Sequence, residues 1–253
     1  MKAFQQWLTE NGYAREVELA FADCDRDKNV RPAKLLSLMA AAAGFDYDAR
    51  GLTHQRLYAM GQVFLLSRIA LRIHRRPVNG EVLTVATWED GIHGAHMRRV
   101  YEMTDRSGNV CVSAKSEWIL IDPAERKILR PNSFKGKTLT TCPKSIDCPD
   151  CRRLSLPQEG TEALGARRIR WSDLDGNGHV YSGNYGDIVW DFLPADLQGA
   201  PLRELYINYS REAVLGETLT LRGFREKDAY TVEGRLGEEH CFSCRCEFSA
   251  GKQ

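Results

Sequence analysis

The chain has 253 residues, 27% charged and 43% hydrophobic, an ordinary globular composition long enough for two modest domains or one large one. A formal net charge of +1 gives no general polyanion-binding surface, so nucleic acid is not an expected partner. No apolar run approaches the ~20 residues of a membrane span, and MKAFQQWLTENGYAREVE at the start has no apolar core of signal-peptide length, so a cytoplasmic, untargeted protein is expected.

Glu16 to Ala22 alternates as a strand does, and the polar segment DCDRDKNV follows at 23–30. Pro32 suits a first helical turn, and Leu35, Leu38, Met39, Ala42 and Phe45 then recur at helical spacing. MAAAAG (39–44) puts small side chains on this helix; they either leave an apolar cavity beside it or simply favour helix and close packing. RRPVNGEVLT (75–84) comes next, then a hairpin turn at Asp105, Gly108 and Asn109. CVSAKSEW (111–118) alternates with period two and reads as a strand. Residues from about 132 to 164 carry Pro143, Pro149, Pro157, Gly136 and Gly160 and read as a linker.

Beyond the linker the order repeats. Arg167 to Trp171 is strand-like, and DLDGNGHV occupies 173–180. A helix follows with Ser182 as N-cap, a stripe of Tyr185, Ile188, Val189 and Phe192, and a stop at Pro194. REAVLGETLT (211–220), a turn at Gly237 and CFSCRCEF (241–248) complete the copy. Asp173 matches Asp23 and Asp175 matches Asp25, so these acids read as shared scaffold. The copies differ where Asn177 faces Asp27, His179 faces Asn29, and Glu212 faces Arg76.

A turn rich in Asp, Asn and Gly that caps a helix would account for both loops. It does not account for the differences. His exchanges protons near neutrality, an amide can donate to an oxyanion, and the glycines around Asn177 permit close backbone approach. The second copy is therefore the candidate active site. D-x-D-x-N-G also mimics an EF-hand, but its twelfth position is Asn184, where a bidentate Glu is needed, and a strand precedes it. Without a secretory signal the eight cysteines do not read as disulfides. Cys244, Cys246, Phe242 and Phe248 share one strand face, as packed core residues do. Cys142, Cys148 and Cys151 in the linker could hold zinc but lack an obvious fourth ligand. No metal or cofactor is expected.

WSDLDGNGHVYSGNYGDIVWDFLP (171–194) and YSREA (209–213) together resemble the acyl-acyl carrier protein thioesterases, the plant and bacterial family that ends fatty-acid elongation. TWEDGIHGAHMRRVYEM (87–103) and SEWILIDPAERKILRP (116–131) resemble its substrate-side half. The resemblance implies an α+β tandem (double) hot-dog fold, each unit a long helix wrapped by a curved antiparallel sheet. Residues 1–135 would form an acyl-binding, catalytically degenerate unit, 136–164 a linker, and 165–253 the catalytic unit. It also implies hydrolysis of fatty acyl-acyl carrier protein, with Asp175, Asn177, His179 and Glu212 as catalytic residues. Glu212 and His179 would activate a water, Asn177 would hold the oxyanion, and Asp175 would orient the loop. Plant members carry Cys where this chain has Ala213, which puts a cysteine nucleophile in doubt.

The expected partner is an acidic acyl carrier protein, with Arg98, Arg99, Arg167 and Arg168 as candidate contacts and Trp88 as a candidate determinant of acyl length. The chain would be a monomer or a homodimer. An acyl-CoA thioesterase and a non-catalytic acyl-binding protein remain as alternatives. A hot-dog dehydratase is disfavoured by the distant Glu212.

Overall fold

A computed structural model describes residues 4–136, 142 and 144–249. In the first half, β1 (Gln6–Leu8) and β2 (Gly12–Glu18) precede α1 (Pro32–Ala49) and the short α2 (His54–Ala59). Then come β3 (Val63–Ile73), β4 (Val82–His93), β5 (His96–Thr104), β6 (Val110–Asp122) and the short β7 (Lys127–Leu129). The second half runs β8 (Glu162–Arg168), α3 (Asn184–Phe192), α4 (Ala195–Gln198), β9 (Leu202–Tyr209), β10 (Thr218–Arg225), β11 (Ala229–Leu236) and β12 (Glu239–Phe248).

All described strands join one antiparallel sheet in the order β1-β2-β4-β5-β6-β3-β9-β12-β11-β10-β8, with β7 pairing β6. The order reads the same from both ends once β1 and β7 are set aside, as two copies of one unit require. The halves meet at β3 and β9, which run antiparallel with Ile69 opposite Ile207 and Leu71 opposite Leu205. All four of these side chains are buried. The expected double hot-dog architecture is the one observed.

The predicted boundaries shift for local reasons. The strands end at Glu18 and Arg168, earlier than the alternation suggested, because a single 3-10 turn follows each, at Phe21–Asp23 and Trp171–Asp173. Asp23 accepts the Ala20 N–H at 3.0 Å and Asp173 accepts the Arg170 N–H at 2.8 Å, which closes each turn. β8 also takes in residues 162–164, which the Pro- and Gly-rich composition places in the linker.

The two helices are unequal. α1 runs 18 residues from Pro32 to Ala49, and Gly51 just beyond its C-cap Arg50 takes a positive φ of 72° that turns the chain away. α3 spans only 9 residues, because Pro194 follows Leu193 and cannot continue the helix. Ser182 is not its N-cap: Gly183 holds that position without a side-chain bond, and the Ser182 carbonyl accepts from the Tyr209 hydroxyl at 3.0 Å. The predicted stripe on α1 is buried except at Phe45, which turns outward against Tyr13 and Arg15.

α1 and α3 cross where their first turns meet. A Cβ built at Gly186 would lie 3.0 Å from the Ala33 nitrogen and 3.1 Å from its Cα. Arg31 and Asp187 bridge the same crossing at 2.8 Å. Gly186→Ala must push the helices apart, and overpacking of this kind costs about 1–3 kcal/mol. The expected result is a lower urea midpoint at unchanged slope; a midpoint equal to wild type would show that the crossing has slack.

Cys244, Cys246, Phe242 and Phe248 are all buried in the core, as their shared strand face predicted. No helix among the described residues is long and apolar enough to cross a membrane.

Candidate active site

The polar loop of the second half is built from its own backbone. Asp175 Oδ1 accepts the Asn177 N–H at 2.8 Å and the His179 N–H at 3.4 Å. The Asp175 N–H donates to the His179 carbonyl at 2.8 Å, and Gly178 takes φ 80°, which glycine adopts without strain. Asp25 does the same in the first half, accepting from Asp27 and Asn29 at 2.9 and 3.0 Å. This carboxylate therefore shapes the loop in both copies.

Two backbone links pin the loop to the segment before β10. His179 pairs with Val214 in an antiparallel bridge, and the Val180 N–H donates to the Ala213 carbonyl at 2.8 Å. The pinning carries Glu212 to His179, where Oε1 lies 3.3 Å from Nδ1. Their side chains are 34% (His179) and 50% (Glu212) exposed, so solvent screens the pair. In the first half the equivalent links join Asn29 to Val78 and Val30 to Pro77. There Arg76 replaces the glutamate, pairs with Asp25 at 2.9 Å and donates from Nε to the Val30 carbonyl at 3.1 Å. One copy presents an acid and an imidazole; the other ties its arginine to its own loop.

Asp175, His179 and Glu212 line one cavity of about 290 Å3, together with Tyr181, Ser182 and Tyr209. The opposite wall comes from the first half through Ala40, Phe64 to Ser67, Trp118 and Ile119. It opens where β9 leaves β3. Their ladder runs only from Arg68 to Arg72, and the β3–β6 register shifts around Ser67. Bulges of this kind commonly sit beside functional sites. Tyr181 and Tyr209 lie within the segments that carry the resemblance but showed no separate role there, whereas Ser67 and Trp118 of the first half join the site through the β3–β9 pairing.

Asn177 is exposed at the loop tip and is not among the residues lining this cavity. No cysteine lines it either. Ala213, in the position that carries Cys in plant members, is fully buried, and the nearby Cys241 is buried with its thiol pushed up to about 11 by burial.

A larger cavity of about 440 Å3 adjoins the first and shares Ala40, Phe64 and Trp118 with it. Ala40, Ala43 and Gly44 of α1 form its helical wall, so the small residues do leave a cavity beside the helix. Trp88 does not line it; that indole is buried and stacks under Lys144 at 5.7 Å. Trp118 lines it instead and donates from Nε1 to Ser116 at 2.7 Å.

Arg99 is no surface contact. It is 3% exposed and donates to the fully buried Asp46 at 2.7 Å, beside Arg50, which reaches Asp46 at 2.6 Å and Glu89 at 2.9 Å. Burial pushes the neighbouring Tyr47 hydroxyl up to about 12. Arg98 is paired with Asp90 and Asp150, and Arg167 with Asp173, whereas Arg168 is exposed. In the linker, Cys148 donates to the Ala70 and Ser113 carbonyls and Cys151 to that of Lys115. Burial pushes both thiols up to about 12, which opposes the thiolate a zinc ion requires. Among the described residues no group of three or more His, Cys, Asp or Glu could hold a metal.

Two models of one family match, the acyl-ACP thioesterase N-terminal domain over residues 10–132 and its C-terminal domain over 160–243. The chain belongs to the acyl-ACP thioesterase family. Among curated family members, the palmitoyl-acyl carrier protein thioesterase of Cuphea hookeriana is 28% identical over 182 residues, 67% of this chain and 42% of its own. The oleoyl-acyl carrier protein thioesterase 1 of Arabidopsis thaliana is 23% identical over 68% of this chain and 51% of its own. The matched stretch thus spans about half the length of these relatives. An acyl-ACP thioesterase structure from Bacteroides thetaiotaomicron superposes with a TM-score of 0.85 at 22% identity, covering 93% of this chain and 97% of that one. The 12:0-ACP thioesterase of Umbellularia californica gives 0.77 at 16% identity, covering 94% and 97%. Both share the double hot-dog fold of this acyl-ACP thioesterase family member.

Proposed function

We propose that the chain hydrolyses the thioester of a fatty acyl-acyl carrier protein and releases the free fatty acid. The observation that carries this is the His179–Glu212 pair, which faces a cavity continuous in its lining with a larger apolar one. The relatives named as acyl carrier protein thioesterases support the same reading.

Glu212 on Nδ1 favours the tautomer with its proton there and leaves the Nε2 lone pair basic. His179 then takes a proton from water as the water oxygen attacks the thioester carbonyl carbon. The carbon–sulfur bond breaks, and the proton passes to the departing thiolate of the carrier's arm. Asn177, at the loop tip, is assigned to the oxyanion on the resemblance alone. A covalent cysteine step has no support, since no cysteine lines the cavity. The carrier is assigned to a shallow depression lined by Arg168, Arg170, Leu215 and Trp171, which is 80% exposed. Basic and aromatic groups together suit an acidic protein partner.

The test is single-turnover hydrolysis of palmitoyl-acyl carrier protein and palmitoyl-CoA in parallel. Faster release from the carrier thioester is expected, and Asp27→Ala and Asn29→Ala should leave the rate within about threefold of wild type, because they touch neither cavity. Hydrolysis of neither thioester would leave an acyl-binding protein as the better description.

A further inference from the structure

The register that pairs Asp173 with Asp23 sets Trp190 of α3 against Ala40 of α1. The backbone supports the correspondence. Tyr181 N donates to the Asp173 carbonyl as Arg31 N does to that of Asp23, and Asn184 N to Tyr181 as Lys34 N to Arg31. Buried and half-buried positions then alternate in the same order along 33–40 and 183–190.

The two residues stand beside different surroundings. Ala40 lies on the wall of both the His179–Glu212 cavity and the larger one, with Phe64 and Trp118. Among the described residues it is the only helical one that lines both cavities, so its methyl group stands on the helix side of the neck where their linings meet. Beside the degenerate loop, Trp190 of the second half fills the matching place. Its Nε1 donates to the Gln198 carbonyl at 3.2 Å, its ring packs 6.5 Å from Phe248, and the Arg76 guanidinium lies 5.9 Å from its centroid. The chain therefore contains both versions of one position, a methyl group beside the intact loop and an indole beside the degenerate one.

We propose that Ala40 is the specificity-determining residue that admits an acyl chain from the His179–Glu212 cavity into the cavity beside α1, and so permits long acyl groups. This rests on the thioesterase reading of the site. An acyl chain held only by the smaller cavity would have about 290 Å3, against a further 440 Å3 once the neck is passed. Each methylene kept out of apolar surroundings forfeits the gain of its burial, so closing the neck penalises long chains more than short ones.

The test substitutes Ala40→Trp, which copies the other half, and Ala40→Leu, a milder obstruction. Two readouts are compared: kcat/KM for palmitoyl- against hexanoyl-carrier thioester, and displacement of bound cis-parinaric acid by palmitate against octanoate. The palmitoyl-to-hexanoyl ratio is expected to fall about tenfold or more in Ala40→Trp, with a smaller fall in Ala40→Leu. Palmitate should lose its advantage over octanoate in the same order. An unchanged length profile in both readouts overturns the proposal. If Ala40→Trp loses its cooperative unfolding transition, Ala40→Leu decides by the same two ratios. If fatty-acid binding shortens as expected but no thioester is hydrolysed by wild type, the role of Ala40 stands and the hydrolase reading falls.

Discussion

His179→Ala lowers kcat for carrier-thioester hydrolysis by roughly 10²–10⁴-fold, the range for loss of a positioned general base. Glu212→Gln falls in the same range, since it keeps the shape and removes the charge beside Nδ1. The double variant is the sharper measurement. The two side chains lie 3.3 Å apart and act on one water, so their effects should not multiply. The double variant should be no more than a few-fold slower than the slower single one. A rate equal to the product of the two losses would mean that the groups act in separate steps. Asn177→Ala reports on a different group. As an oxyanion donor its amide accounts for about a hundredfold in kcat, on the order of 3 kcal/mol. A loss below about threefold would remove Asn177 from the chemistry, in keeping with its exposed place outside the cavity wall.

Arg99→Met is expected to destabilise the fold by about 3–5 kcal/mol, the cost of breaking a buried ion pair from one side. Asp46 has no exposed surface and takes its two shortest bonds from Arg50 and Arg99, at 2.6 and 2.7 Å. Removing Arg99 leaves a buried carboxylate short of one donor, and also strips Thr87 of a partner at 3.2 Å. Urea unfolding at constant slope measures the loss. Arg168→Ala, at an exposed position, should stay within about 0.5 kcal/mol of wild type. Equal midpoints for the two variants would show that the buried cluster adds nothing to stability.

The duplication was legible because the chain states one α+β unit twice, and the double hot-dog form of it came from the resemblance. DCDRDKNV and DLDGNGHV, with the segments around Gly80 and Gly216, marked equivalent positions before any contact was known. The joint role of His179 and Glu212 came from the resemblance, and the repeat supported it, since their counterparts Asn29 and Arg76 both differ. Other features depend on long-range pairing and left no local trace. The cavity wall of Phe64 to Ser67 and Trp118 exists only because β3 meets β9 and then parts from it. Arg99 looked like its neighbour Arg98, yet adjacent strand residues face opposite sides, and one side here is the interior. The start of α3 was misplaced because Ser182 has the right chemistry for a cap but spends its carbonyl on Tyr209. The duplicated Asp175 and Asp25 show how a functional motif can mix parts: this carboxylate folds the loop in both copies, whatever stands two and four residues later.

The β3–β9 ladder has a consequence for how such a molecule can vary. In a pair of identical subunits joined by the same ladder, every substitution would be written into both sides at once. A tryptophan that plugs one mouth would plug the other, and an arginine that silences one loop would silence both. Placing the two sides in one chain separates their inheritance. Position 40 can stay small while position 190 becomes an indole, and position 212 can stay acidic while position 76 becomes basic. Under the proposed function, the break in symmetry would let one side specialise in holding a substrate and the other in acting on it.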